Sequence, residues 1–83
     1  MIETFILKQA EAIFEDGEPI IRYIGYLKDT DENFMFDIDF GFWNQLYSEF
    51  DGDEKLVDDV CIKYAMDARG HFGIEVERKI DHE

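Results

Sequence analysis

Residues 34–40, Phe-Met-Phe-Asp-Ile-Asp-Phe, carry the clearest secondary-structure signal in the chain. Large apolar side chains alternate there with Met35, Asp37 and Asp39, and this period of two is typical of a β-strand with one buried face. The polar residues 29–33 before it predict a turn. Residues 20–27 are rich in Ile and Tyr and predict another strand, so we expect an antiparallel hairpin.

Downstream of this hairpin the apolar residues change to helical spacing. A short helix is predicted from Phe42, Trp43, Leu46, Tyr47 and Phe50. Residues 51–53 end it, and Asp53 is suited to cap a second helix. The apolar stripe of that amphipathic helix is Leu56, Val57, Val60, Cys61, Tyr64, Ala65 and Ala68. Gly70 marks its end, and the alternation over residues 72–80 predicts a final strand.

The N-terminal residues 2–14 fit two structures. Ile2, Phe5, Ile6, Ala10, Ile13 and Phe14 have helical spacing, whereas Phe5, Leu7 and Ile13 also suit strands. We favour a helix. The whole chain is then a single α+β domain over residues 1–83, with a small antiparallel sheet of about three strands and two to three helices packed on one face.

Composition limits the classes of function. The chain has 83 residues and a net charge of −13, from 21 acidic and 8 basic residues. Nucleic acid and anionic membranes repel such a chain, so we expect it to bind neither directly. No apolar run reaches the roughly 20 residues of a membrane span. The N-terminus lacks signal-peptide features, and the single Cys61 suits a reducing compartment, so we expect a cytoplasmic protein.

The negative charge is concentrated in the middle of the chain. Residues 29–59 hold eleven acidic residues and one basic residue, Lys55. Asp37 and Asp39 should lie about 7 Å apart on one strand face. Glu54 and Asp58 should lie one helical turn apart, where like charges repel. A helix cap explains only some of these acids, so the remainder form either a solvated surface or a surface for a cationic partner.

The second interpretation gives a set of candidate partner-binding residues. They are Asp29, Asp31, Glu32, Asp37, Asp39, Tyr47, Asp51, Asp53, Glu54, Asp58 and Asp59. Tyr23 and Tyr47 are the aromatic residues that we expect to be exposed as interface anchors, whereas Trp43, Leu46 and Phe50 are expected in the core.

Motifs for catalysis or metal binding are incomplete. Residues 29–33 begin like a calcium loop, but Phe34 and Phe40 stand where that loop needs glycine and glutamate. Cys61 lies on an apolar stripe without a base that would activate it. Asp37 and Asp39 on an exposed strand should both be ionised, which does not suit a paired acid and base. We therefore predict no catalytic residues, no metal and no cofactor.

In size and charge the chain resembles small acidic inhibitors. These include phage anti-restriction and anti-CRISPR proteins that mimic DNA, and immunity proteins that neutralise basic nuclease toxins. The resemblance implies a non-catalytic protein that blocks the DNA- or RNA-binding groove of a basic target, such as a CRISPR effector or a restriction enzyme. The alternative is an immunity protein or antitoxin for a cationic nuclease toxin. A small sheet also has free edges, through which a homodimer could form.

Overall fold

A computed structural model describes residues 2–79. Its elements are β1 (Thr4–Glu15), β2 (Glu18–Leu27), β3 (Asn33–Asp39), α1 (Phe40–Glu49), α2 (Glu54–Asp67) and β4 (Glu75–Arg78). The strands form one sheet in the order β3-β2-β1-β4. The α+β class with a small sheet and few helices is confirmed. The sheet has four strands, and it is mixed because β4 is parallel to β1.

The predicted β2–β3 hairpin is present, with Arg22 opposite Asp37 and Ile24 opposite Met35. A second hairpin joins β1 and β2 through Asp16 and Gly17, which have φ values of 53° and 79°. Positive φ at both central residues is the condition of a type I′ turn, whose twist matches that of paired strands. The sheet is therefore built on β2, which has long neighbours on both sides.

The prediction of an N-terminal helix is wrong, because residues 4–15 form β1. The register of β1 against β2 shifts between Leu7 and Gln9. Before this bulge, Phe5 and Leu7 face the core, and after it Ala10 takes that side opposite Tyr23. One inserted residue moves the period of two by one position. The apolar residues then acquire a spacing that imitates a helix.

Both helices begin at an aspartate N-cap, of which Asp53 was predicted and Asp39 was not. The Asp39 carboxylate accepts a hydrogen bond from Phe42 N in α1, and the Asp53 carboxylate accepts one from Leu56 N in α2. The α2 side chains that become buried are Val57, Cys61, Ile62, Ala65 and Met66. The predicted stripe was therefore misplaced by part of a turn, since Leu56 and Tyr64 are exposed. Val57, Cys61 and Ala65 are shared by both sets.

The final strand is shorter than predicted. It covers Glu75–Arg78, whereas Phe72 lies outside it and is 74% exposed. The predicted end at Ile80 falls outside the described residues. The chain leaves α2 beside the beginning of β1, where Glu75 N donates to Glu3 O. The strand therefore runs in the same direction as β1 and pairs only with residues 4–7.

The core lies between the helices and one face of the sheet, which we call the covered face. Phe5, Leu7 and Tyr23 are fully buried there, beside Ile62 and Met66 of α2. The close packing needs glycine at position 25. A Cβ atom on Gly25 would lie 2.3 Å from the Ile6 carbonyl oxygen, which belongs to the paired strand and cannot move aside.

The helices cover only part of the sheet. Residues near the β1–β2 turn extend beyond them, and Phe14 is 77% exposed. Neither helix of the described part of the chain is long and apolar enough to cross a membrane. The other side of the sheet, which we call the open face, has no helix against it among residues 2–79.

Candidate functional site

The open face has a charged centre at Arg22 on β2. Arg22 lies opposite Glu11 of β1 on one side and opposite Asp37 of β3 on the other. Its guanidinium contacts both oxygens of Asp37, at 2.8 and 3.0 Å, and Glu15 at 2.9 Å. These bonds hold the pKa of Asp37 below its usual range and raise the pKa of Arg22. The cation is therefore already paired within the face.

Carboxylates surround this centre across all four strands. The strand register gives seven of them to the open face, namely Glu11, Glu15, Glu18, Asp37, Asp39, Glu75 and Glu77. Among the described residues, Glu11, Glu18, Glu75 and Glu77 have no ion pair or side-chain hydrogen bond. Among the described residues, Arg22 is the one basic residue that the strand register places on this face. The surface therefore remains strongly negative.

Apolar side chains lie between the charged rows. Ile13 pairs with Ile20, and Ile24 pairs with Met35, which is 56% exposed. Ile6 and Tyr26 form the next row and are less accessible. The open face thus combines negative charge with apolar area. A partner that buries this surface would gain from hydrophobic contact as well as from ion pairing.

Two candidate aspartates lie at the beginnings of the helices. Asp39 and Asp53 both use their carboxylates as N-caps, although both residues are exposed. Loss of such a cap destabilises a helix by about 0.5–2 kcal/mol. Substitution of either residue would therefore change stability as well as surface charge.

Asp58 and Asp59 belong to an internal polar cluster. Asp58 Oδ1 accepts hydrogen bonds from Tyr23 OH at 2.5 Å and from Trp43 Nε1 at 3.1 Å. Arg78 lies 3.8 Å from Asp58 and 3.0 Å from Asp59. The side chain of Asp58 is only 17% exposed. These two aspartates join α2 to the sheet, and the single guanidinium of Arg78 offsets part of their negative charge.

The remaining candidate acids occupy two separate places. Asp29, Asp31 and Glu32 are exposed in the β2–β3 turn. Asp51 and Glu54 are exposed at the beginning of α2. The other end of α2 lies near the turn, because His71 packs against Phe34 with 5.8 Å between ring centres. Since α2 has 14 residues, the two groups are separated by about 20 Å.

The candidate acids therefore do not form one surface. Asp37 and Asp39 lie on the open face, Asp58 and Asp59 lie beneath the helices, and the other acids lie at opposite ends of α2. Sequence reasoning missed the open-face acids outside residues 29–59. Glu11 escaped notice because residues 2–14 were interpreted as a helix, and Glu15 and Glu18 lay outside the segments predicted as strands. The alternation that includes Glu75 and Glu77 predicted a strand, but the sequence did not show which strand it pairs with.

The two tyrosine anchors have different environments. Tyr23 is fully buried, so the prediction that it is exposed is wrong. Burial raises its pKa, and the hydrogen bond to Asp58 adds to this shift. Tyr47 is half-buried and stacks on Trp43 with 5.2 Å between ring centres. Trp43, Leu46 and Phe50 pack against the core as expected.

Cys61 and His71 are the cysteine and the histidine of the described residues, and both are tied into the packing of the fold. Burial raises the pKa of the Cys61 thiol to about 11, which disfavours the nucleophilic thiolate at neutral pH. His71 Nδ1 lies 3.0 Å from Glu3 Oε1 and links the segment after α2 to the residue before β1. Among residues 2–79, no three His, Cys, Asp or Glu side chains converge in a group that could hold a metal ion.

Comparison with known proteins gives no match to a family model, to a curated protein or to a solved structure. The functional proposal therefore depends on the surface chemistry of this chain.

Proposed function

We propose that this protein is a non-catalytic acidic inhibitor that occupies the nucleic-acid-binding groove of a basic target protein, as phage anti-defence proteins do. The observation that carries the proposal is the open face, with seven carboxylates and one paired guanidinium. Carboxylates there are spaced by about 7 Å along a strand and by about 5 Å between strands. A groove that binds phosphates presents a comparable density of cations.

The dispersed acids support the same function in a different way. The turn acids Asp29, Asp31 and Glu32 and the helix-end acids Asp51 and Glu54 add negative charge around the molecule. Such a field accelerates encounter with a cationic surface without direct contact. We therefore assign contact to the open face and steering to the other exposed acids. The single reduced thiol suits action in the cytoplasm.

The test compares two variants that lose the same charge at different places. The open-face variant combines Glu11→Gln, Glu18→Gln and Glu77→Gln, which remove carboxylates without an ion pair. The control variant combines Asp29→Asn, Asp31→Asn and Glu32→Gln in the turn. Immobilised proteins are incubated with host lysate and eluted with a salt gradient. We expect the wild type to retain one basic nucleic-acid-binding protein, released by moderate salt or by added DNA or RNA.

The open-face variant should weaken this binding by about tenfold or more, whereas the turn variant should mainly slow association. Retention of nothing, or of many ribosomal and other basic proteins without selectivity, would overturn the proposal. Equal loss in both variants would show that only the total charge matters. A captured cationic nuclease toxin would identify an immunity protein instead of an anti-defence inhibitor.

A further inference from the structure

One edge of β1 is free along its second half. β4 pairs with residues 4–7, and Lys79 N donates to Leu7 O at the end of this pairing. Within residues 2–79, nothing pairs with the same edge along residues 9–15. Unpaired strand edges present main-chain donors and acceptors that can accept another strand.

The hairpin geometry identifies which residues present these groups. The two-residue turn is closed by the pair Glu15 and Glu18, which exchange main-chain hydrogen bonds in such a hairpin. Pairs alternate along an antiparallel ladder between bonded and non-bonded types. Ala10, Ala12 and Phe14 therefore direct their N–H and C=O groups away from β2 and toward the free edge.

An apolar cavity lies beside the same residues. It has a volume of about 240 Å³ and is lined by Ala12, Ile13, Phe14, Pro19, Ile20 and Phe40. This is smaller than the roughly 300–1,000 Å³ of sites for drug-sized ligands, so it suits one inserted side chain. Phe14 is 77% exposed at its border. Main-chain hydrogen bonding and an apolar anchor site thus lie side by side.

We propose that the free edge of β1, from Gln9 to Glu15, binds an extended segment of the cationic partner as a fifth strand. This inference rests on the proposed function and specifies how that partner is held. Side chains of the added strand alternate between the two faces of the sheet. Those on the open-face side meet Glu11 and Glu15, and those on the other side meet the cavity at Ala12 and Phe14. The segment therefore alternates basic and apolar residues.

Charge selects this occupant over a second copy of the chain. Two copies paired through this edge would each carry a net charge of −13. Glu11 and Glu15 of each copy would also lie beside the carboxylates of the other. Like charges at such short range oppose pairing, whereas Lys or Arg on the added strand would form ion pairs across it.

The test uses an eight-residue peptide of alternating lysine and valine with the full protein. Backbone hydrogen exchange is measured residue by residue with and without peptide. We expect exchange at the amides of Ala12 and Phe14 to slow by about tenfold or more, because new hydrogen bonds protect them. A peptide with the same residues in two blocks, four lysines followed by four valines, should give much less protection.

The matched variants are Ala12→Pro and Ala12→Ser. Proline removes the N–H at the free edge while leaving the bonds to β2, so the fold should be retained. Serine keeps the N–H. We expect Ala12→Pro to lose the peptide-dependent protection at Phe14 and Ala12→Ser to keep it.

Three results would overturn the proposal. The first is that the peptide binds without added protection at Ala12 and Phe14. The second is that Ala12→Pro responds like the wild type. The third is that these amides are already protected in the free protein. In the last case, dependence on protein concentration would identify a second copy, and independence would identify residues 80–83 of the same chain. Failure of the proposed function is seen separately, as absence of a basic partner in the lysate experiment.

Discussion

The two halves of β1 differ in how many neighbours they have. Residues 4–7 pair with β2 on one side and β4 on the other, and Phe5 and Leu7 are fully buried. Among the described residues, residues 9–15 pair only with β2, and Phe14 is 77% exposed. The bulge between Leu7 and Gln9 separates the halves. One strand therefore contributes stability at its beginning and accessible surface at its end.

The largest expected effect is a difference in stability between two variants, each of which loses a phenyl ring from one half of β1. Phe5→Ala should lower the free energy of unfolding by about 3–5 kcal/mol, because the ring is buried against Phe36 and the core. Phe14→Ala should change it by about 0.5 kcal/mol or less, because the ring is exposed. Urea unfolding followed by Trp43 fluorescence measures both.

Phe5→Leu is the milder variant if Phe5→Ala fails to fold, with an expected loss below about 1.5 kcal/mol. Equal losses for Phe5→Ala and Phe14→Ala would contradict the division of β1 into a buried half and an exposed half.

The next effect concerns the part of the sheet where its contact with the helices ends. Tyr23 lies opposite Ala10, just after the bulge, and donates to Asp58 of α2. Asp58→Asn removes the charge that faces Arg78 and should lower the free energy of unfolding by about 1–3 kcal/mol. It should also shift the NMR resonance of the Trp43 indole N–H, which donates a hydrogen bond to Asp58.

Asp29→Asn is the control, since Asp29 is exposed in a turn and should change stability by about 0.5 kcal/mol or less. If both variants were equally stable, the Asp58 cluster would not hold α2 to the sheet, and the boundary of the covered region would need another cause.

The sequence predicted the elements that follow a regular period. β2, β3 and both helices were found, because strand alternation, helical spacing and the cap at Asp53 are local signals. β1 was missed because its bulge breaks the period at Lys8, and the evidence for a strand lies in its pairing with residues distant in sequence. The stripe on α2 was misplaced because Leu56 and Ile62 have similar hydrophobicity, and only packing decides which is buried.

The site was harder to predict because charge alone does not reveal pairing. In the sequence Asp58 and Asp59 look like Asp29, yet in the fold both lie beside Arg78 of β4. Asp37 was expected to lie with Asp39 on an exposed strand face, but nothing local showed that Arg22 stands opposite it. A local pattern gives the face of a strand, whereas these pairs depend on which strands become neighbours.

The smallest expected effect is a difference between the two halves of β1 in how their hydrogen-exchange protection depends on pH. The exposed half is held partly by the ion pair of Arg22 with Glu15, and Asp37 of β3 holds that guanidinium from the other side, whereas the first half is held by burial. The pKa of Asp37 is lower in the folded state than in the unfolded chain. Its stabilising effect is therefore complete above the unfolded-state pKa and is lost as pH falls through the folded-state pKa.

Acid should thus loosen the second half of β1 before the first half. Hydrogen-exchange protection factors, corrected for intrinsic rates, should fall more at Glu11 and Ile13 than at Ile6 between pH 6 and about pH 3. In Asp37→Asn the two halves should differ less in the pH dependence of their protection, because the carboxylate that titrates has been removed. A uniform fall along the whole strand would mean that β1 opens as one unit, with burial of Phe5 holding the exposed half in place.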